Sequence, residues 1–367
     1  MRLKFDGLNW PLVALVIGLS LFGVVMVYSA SYFNAERVYN DSLYFVKKQL
    51  VGVVLGAVAM FILSQFDYHK LFRFRYIALL IGVALLLLVF VPHVGIESYG
   101  AKRWIGVGGF SFQASEVAKF CFIIFAAGYM VANKDKMTSF TGALPVLLAG
   151  GVICGLIMLE PNMSITICVG VLLLCLLLFG GMRLKHLTLV ILPTLILLPV
   201  LIIIEPYRLK RMLAFIDPWA SPRGEGFQLI QSLYSLGNGG WFGVGLFNSR
   251  QKYSFLPFSE SDFIFSIIGE ELGFVGAVCL ICVFVALIIM CVKIALHSID
   301  RFGFLLSMGV ALILAIQVLL NIAVVSGAVP PTGLPLPFIS AGSTSLVVFM
   351  SAIGVVLNIN KQSKIIN

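Results

Sequence analysis

Ten apolar runs, each near the length a helix needs to cross a bilayer, constrain this chain more than anything else in it. A hydrocarbon core about 30 Å thick takes roughly 20 residues of α-helix. The runs fall at 10–31, 45–65, 76–92, 114–132, 142–159, 163–180, 187–205, 262–293, 303–325 and 344–359. In lipid every backbone N–H and C=O must be satisfied within the segment, so runs of this kind predict helices. The expected fold is an all-α polytopic integral membrane protein with about ten spans. Residues 1–367 are expected to form a single transmembrane domain, with one large outer loop at 206–261 between spans seven and eight. A composition 60% hydrophobic and 11% charged excludes a soluble domain of this length. No small-residue cleavage site follows the first run, so it is expected to remain as a span.

Basic residues set the orientation. With the N-terminus inside, the inner segments hold thirteen lysines and arginines, among them Arg2, Lys4, Lys70 and Arg301. The short outer loops hold five: Arg37, Lys47, Lys48, Lys102 and Arg103. Both termini are therefore expected in the cytoplasm. The net charge of +9 is spread over many loops and suits membrane lipids with anionic headgroups. No basic patch interleaved with aromatics argues for nucleic acid.

Three outer segments are too elaborate to be plain connectors. Tyr99 to Ala118 leads straight into a span, and Glu116 and Lys119 stand i, i+3 near its start, spaced to pair inside the membrane. The 206–261 segment begins Tyr207-Arg208-Leu209-Lys210-Arg211 and later carries a glycine-rich stretch, 237–245. Those glycines lack a following Lys-Ser/Thr and a βαβ setting, which excludes a nucleotide P-loop, yet they permit close backbone approach to an anionic group. Gly327 to Ser345 contains four prolines, which forbid a regular helix and predict a rigid re-entrant or capping loop. Ser340, Ser343, Thr344 and Ser345 then lead into the last span and are expected as its N-cap cluster. Gln317 and Asn321, i, i+4 on the ninth span, are expected to tie helices together.

The stretch Phe255–Gly273 places Asp262, Glu270 and Glu271 at the mouth of an apolar run. Ser266, Gly269 and Gly273 fall close to the Asp262 face of a helix, a small-residue stripe that admits a close neighbour. Acidic groups at membrane depth are costly and therefore candidates for function. A capping box, with Ser259 at N-cap and Asp262 at N3, fits the same residues. The seven cysteines lie inside apolar runs and read as small core residues. None of the four histidines lies near the acidic stretch in sequence, and no metal-ligand spacing is present.

Taken together these segments resemble the SEDS family, the shape, elongation, division and sporulation proteins that include FtsW, RodA and SpoVE. The resemblance rests on Gly100-Ala101-Lys102-Arg103-Trp104-Ile105 and on Phe112-Gln113-Ala114-Ser115-Glu116-Val117-Ala118-Lys119. It continues through Asp217-Pro218-Trp219, Asp262-Phe263-Ile264-Phe265, Gly269-Glu270-Glu271-Leu272-Gly273 and Gly333-Leu334-Pro335-Leu336-Pro337-Phe338. The Asp-Pro-Trp and Ile-Gly-Glu-Glu-Leu-Gly segments look more like the FtsW/SpoVE branch than RodA.

The resemblance implies a peptidoglycan glycosyltransferase that polymerises lipid II into glycan strands on the outer face of the cytoplasmic membrane, during cell division or sporulation. It implies a class B penicillin-binding protein as partner, within a divisome or sporulation complex. The family's catalytic aspartate maps onto Asp262, and its functional glutamate and lysine map onto Glu116 and Lys119. Arg103, Arg208, Lys210 and Arg211 join Lys119 as candidates to meet the substrate's pyrophosphate, with Glu270, Glu271 and Ser340 in supporting roles. A divalent cation, magnesium or manganese, is expected with the pyrophosphate, without a dedicated cage and without an organic cofactor. A lipid II flippase and a non-catalytic scaffold for the penicillin-binding protein are the alternatives. The chain departs from the family pattern at Glu260 (often His), at Asn162 in Glu160-Pro161-Asn162 (commonly Glu-Pro-Asp), and at Ala341.

Overall fold

The computed structural model describes residues 7–98, 101–107, 110–253 and 255–366. Arg2 and Lys4, which entered the orientation, and Tyr99 and Gly100, which head the first outer segment, lie outside these residues. In chain order the helices begin with α1 (Trp10–Tyr39), α2 (Tyr44–Gln65), the single turn α3 (His69–Arg73) and α4 (Arg75–Leu88). A small sheet follows, β1 (Gly95–Ser98), β2 (Ala101–Val107) and β3 (Phe110–Gln113). Then come α5 (Ala114–Ala132), α6 (Phe140–Leu159), α7 (Met163–Phe179), α8 (Leu184–Ile204), α9 (Pro206–Ile216) and α10 (Phe227–Gly239). The chain closes with α11 (Ile264–Leu296), α12 (Arg301–Val325) and α13 (Ser343–Ile366).

Each of the ten expected runs contains a helix, the third ending at Leu88 and the eighth beginning at Ile264. Among the described residues eight helices are long and apolar enough to cross a membrane, and α4 and α7 are shorter apolar helices. Local chemistry sets several of their ends. Asn9 accepts from the Leu12 N–H to cap α1, and Pro11 occupies the first turn, where a missing N–H is harmless. Asn162 caps α7 by accepting from the Ile165 N–H at 3.3 Å, so the departure from the family's aspartate leaves the cap intact.

The core gathers around α12, which packs against α5, α7, α11 and α13. Segments expected on one side of the membrane meet one another. At the inner end Tyr68 donates to Asp300 at 2.8 Å, Asn358 accepts from the Tyr68 N–H, and Arg301 donates to the Gly180 carbonyl. At the outer end Arg103 reaches the Glu160–Pro161 turn and Gln49 donates to the Ser340 carbonyl.

Four expectations need correction. The first outer segment folds as an antiparallel sheet in the order β1-β2-β3, a β element in an otherwise helical chain. The 206–261 segment is not an open loop, for it contains α9, α10 and a run of turns. Helix α11 is interrupted at Gly273, whose φ of 69° and ψ of −170° are open essentially to glycine alone. Of the cysteines, Cys279 and Cys282 are exposed on α11 rather than packed in the core, and all seven thiols are free.

Candidate active site

Helix α11 begins at Ile264, with Phe263 at its N-cap and no side-chain cap. The capping box expected at Ser259–Asp262 therefore does not form. Its residues are engaged elsewhere: Ser259 Oγ donates to the Ala30 carbonyl, and the Ser261 and Phe263 N–H groups turn back onto the Phe258 carbonyl. Asp262 stands two residues ahead of the helix and is half-buried.

The proline-rich segment after α12 closes over this turn. Asn321 on α12 donates to the Asp262 carbonyl at 2.8 Å and to the Leu334 carbonyl at 2.7 Å. Ser340 Oγ donates to the Ser261 carbonyl at 2.6 Å while accepting from the Leu336 N–H at 2.7 Å, and the Ala341 N–H donates to the Glu260 carbonyl. Ser340 is thus a clamp on the Asp262 turn, not part of an N-cap cluster on α13. The exposed Gly333 lies against the Asp262 carboxylate.

Two guanidiniums face this carboxylate. Arg103 on β2 donates to the Glu160 carbonyl at 3.1 Å and the Pro161 carbonyl at 2.6 Å. Arg211 on α9 donates to the Pro331 carbonyl at 3.3 Å and lies over the Tyr207 ring. Arg208 is half-buried on the same helix, and the exposed Lys210 joins Arg211, Arg223, Asp217 and Pro257 in lining an outer cavity of about 700 Å³. Burial pushes the Asp262 carboxyl up to about 6; Arg211 and Arg103 pull it back and Glu260 pushes it further. Glu260 is itself raised by burial. Burial drives Glu160 up to about 8 against the pull of Arg103, and neither of its carboxyl oxygens has a hydrogen-bond partner.

Glu116 and Lys119 form the expected ion pair, at 2.8 Å and without solvent exposure. Lys119 also donates to Gln317 Oε1 at 2.8 Å, and Ser345 donates to Glu116 at 3.0 Å. Both side chains are fully buried, so Lys119 is not exposed to meet a pyrophosphate as expected. Gln317 in turn donates to the Pro335 carbonyl at 2.9 Å, so the two amides of α12 tie a helix to a loop as well as to another helix.

Glu270 and Glu271 were expected beside Asp262 at the mouth of the run, and instead both are fully buried in a separate cluster. Glu270 accepts from Ser235 Oγ, Ser249 Oγ and the Arg250 N–H. Glu271 accepts from Ser29 Oγ at 2.6 Å and pairs with Lys252 at 3.2 Å. The glycine-rich stretch packs against this cluster. The Val244 and Gly245 N–H groups donate to the Glu270 and Glu271 carbonyls, and a Cβ on Gly273 would lie 2.3 Å from the Gly243 nitrogen. Sequence reasoning missed Lys252 and Ser249. Their only signal is a lysine beside an aromatic pair in an outer segment, which looks solvated until the fold buries it.

Among the described residues no group of three or more His, Cys, Asp or Glu side chains is placed to hold a metal ion.

Residues 10–365 match the model of the FtsW/RodA/SpoVE family, described as a cell cycle protein. The chain is 39% identical over 358 residues to stage V sporulation protein E of Bacillus subtilis, covering 96% of this chain and 97% of that one. It is 35% identical over 365 residues to the probable peptidoglycan glycosyltransferase FtsW of a Geobacter species, covering 98% and 99%. Among solved structures, a chain from "Structural coordination of polymerization and crosslinking by a peptidoglycan synthase complex" superposes with a TM-score of 0.81 at 28% identity, over 98% of this chain and 99% of that one. The crystal structure of Thermus thermophilus rod shape determining protein RodA gives 0.72 at 26% identity, over 98% of each chain.

Proposed function

The chain belongs to the FtsW/RodA/SpoVE family, and we propose that within it Asp262 is the general base of glycan polymerisation. The protein is a multi-pass peptidoglycan glycosyltransferase of the cytoplasmic membrane. The substrate we assign is lipid II, with the nascent strand as its co-substrate. Asp262 takes the proton from the acceptor sugar's 4-hydroxyl as that oxygen bonds to the donor's anomeric carbon. The bond from that carbon to the lipid pyrophosphate breaks, and the pyrophosphate leaves with the electron pair. The leaving group is already a good one, so proton removal and charge neutralisation are the main demands.

One observation carries this reading: a half-buried carboxylate ahead of α11, raised by burial to about 6, the range in which a base both ionises and accepts protons near neutral pH, with Arg211 and Arg103 near enough to pull it back. The two guanidiniums suit a pyrophosphate, Lys210 and Arg208 extend the basic surface along α9, and the buried Lys119 acts through Gln317 rather than on the substrate. Among the described residues no group of three or more His, Cys, Asp or Glu side chains is placed to cage a magnesium or manganese ion, so such an ion would be carried chiefly by the pyrophosphate and would neutralise its charge. The likeness to a chain of a peptidoglycan synthase complex supports a class B penicillin-binding protein as partner, cross-linking the strands in a division or sporulation complex.

The test compares purified wild type, Asp262→Ala and Asp262→Asn with that partner and lipid II, reading strand length on a gel. Strands from wild type alone, with all three proteins folded, are expected. Equal polymer from all three would remove Asp262 from the chemistry.

A further inference from the structure

We propose that Gln317 and Asn321 are positioning residues, which transmit the fixed geometry of the buried Lys119–Glu116 pair through the proline-rich loop to the Asp262 turn. The proposal rests on Asp262 being the base. The path is continuous. Lys119 Nζ donates to Gln317 Oε1 at 2.8 Å, and Gln317 Nε2 donates to the Pro335 carbonyl at 2.9 Å. One residue earlier the Leu334 carbonyl accepts from Asn321 Nδ2, and the same nitrogen reaches the Asp262 carbonyl.

The direction of each amide is dictated by its partners. An ammonium has only donors, so it forces the Gln317 oxygen toward Lys119 and leaves the NH₂ for Pro335. Two carbonyls in front of Asn321 likewise require its NH₂, and its Oδ1 is left buried without a partner. The loop cannot supply these bonds itself. Pro335 and Pro337 have no N–H, and without a regular helix the carbonyls of Leu334 and Pro335 need outside donors. Gln317 and Asn321 are buried, on the helix around which the core gathers, so the donors they present are held in one place. Gly333, between these tied carbonyls and Pro331, borders the Asp262 carboxylate so closely that a Cβ on it would come within 2.9 Å of Oδ2. Holding the loop therefore holds the wall of the base.

Gln317→Glu separates this from simple pairing of Lys119. It keeps an acceptor for the ammonium and removes the donor to Pro335. Asn321→Leu removes both carbonyl ties. For either variant, in complex with its partner, kcat is expected to fall by about tenfold to a hundredfold with KM for lipid II unchanged, the size of loss that misplacing a reacting group by about 1 Å brings. Loosening also hydrates the carboxylate, so the acid limb of the pH–rate profile moves to lower pH. A second readout needs no turnover: amide exchange at 261–263, 334 and 336 speeds up while the inner half of α12 stays protected. If Asn321→Leu does not fold, Gln317→Glu carries the test alone. Wild-type kcat in Gln317→Glu, an unmoved acid limb, or unchanged exchange at those amides would overturn the proposal. Activity in Asp262→Ala would instead remove the base, a failure the exchange measurement does not share.

Discussion

A Cβ built on Gly333 would sit 2.9 Å from Asp262 Oδ2 and 3.8 Å from its Cγ, so the carboxylate uses the space that a side chain would take. Gly333 is exposed and its φ is not left-handed, which makes the requirement one of room rather than of backbone freedom. Gly333→Ala is expected to leave the melting temperature within about 1–2 °C of wild type, as exposed substitutions do. The crowded carboxylate turns away, and polymerisation falls by about tenfold or more. A differential scanning melt and the lipid II gel decide it. Full activity in the alanine variant would show that the carboxylate does not need that space.

The Asp262 carboxyl, raised from its ordinary 3.8 to about 6, gives the reaction an acid limb. A general base works ionised, and the protein without substrate sets kcat/KM, so kcat/KM should fall by about tenfold for each pH unit below 6. The sign for stability is opposite. The folded state holds this proton more tightly than the unfolded chain does, so stability is lost as pH rises through the window from about 4 to about 6. Asp262→Asn carries no charge to bury and should melt a few degrees higher than wild type at pH 7, and no higher at pH 4. Identical melting differences at both pH values would contradict the origin assigned to the shift.

The polytopic helical architecture was legible because run length is a direct statement about bilayer thickness, and the Glu116–Lys119 pair because i, i+3 spacing brings side chains together on any helix. Asp262 was legible as a carboxylate where carboxylates are costly. Its capping role was misread because a cap is judged from four residues, whereas Asn321 and Ser340, 59 and 79 residues away, fix the turn. The sheet was missed because its strands are short and broken by glycines. Glu270 and Glu271 looked like neighbours of Asp262, and only the break at Gly273 with the return of residues 240–252 gives them partners of their own.

That second cluster should behave as structure. Lys252 and Glu271 are fully buried and paired at 3.2 Å, and the ammonium also donates to the Phe247 carbonyl. Lys252→Met strands a carboxylate with no exposed surface and is expected to cost about 3–5 kcal/mol. Adding Glu271→Gln should recover part of that loss, because the remaining group is neutral and still accepts from Ser29. Denaturant melts of the single and double variants measure the recovery. A double variant less stable than Lys252→Met alone would mean that Glu271 is held by something other than this lysine.

Glu160 supplies the alkaline side. Its carboxyl is buried at the end of α6 without a hydrogen-bond partner, and burial raises it to about 8, so it is neutral at pH 7. Arg103 is gripped by the carbonyls of Glu160 and Pro161 and lies near enough to Asp262 to interact with it, so below that pH its charge is available to the pyrophosphate. Above about 8 Glu160 ionises beside the guanidinium and offsets it. Polymerisation should therefore decline above pH 8 through a rising KM for lipid II, since weaker anion binding precedes the chemistry. Glu160→Gln keeps the shape of the neutral acid and cannot ionise. It should match wild type at pH 7 and hold its KM to higher pH, whereas Arg103→Lys, which loses the planar fork, should raise KM at every pH. An alkaline limb that persists unchanged in Glu160→Gln would assign it to another group and leave Arg103 unmodulated.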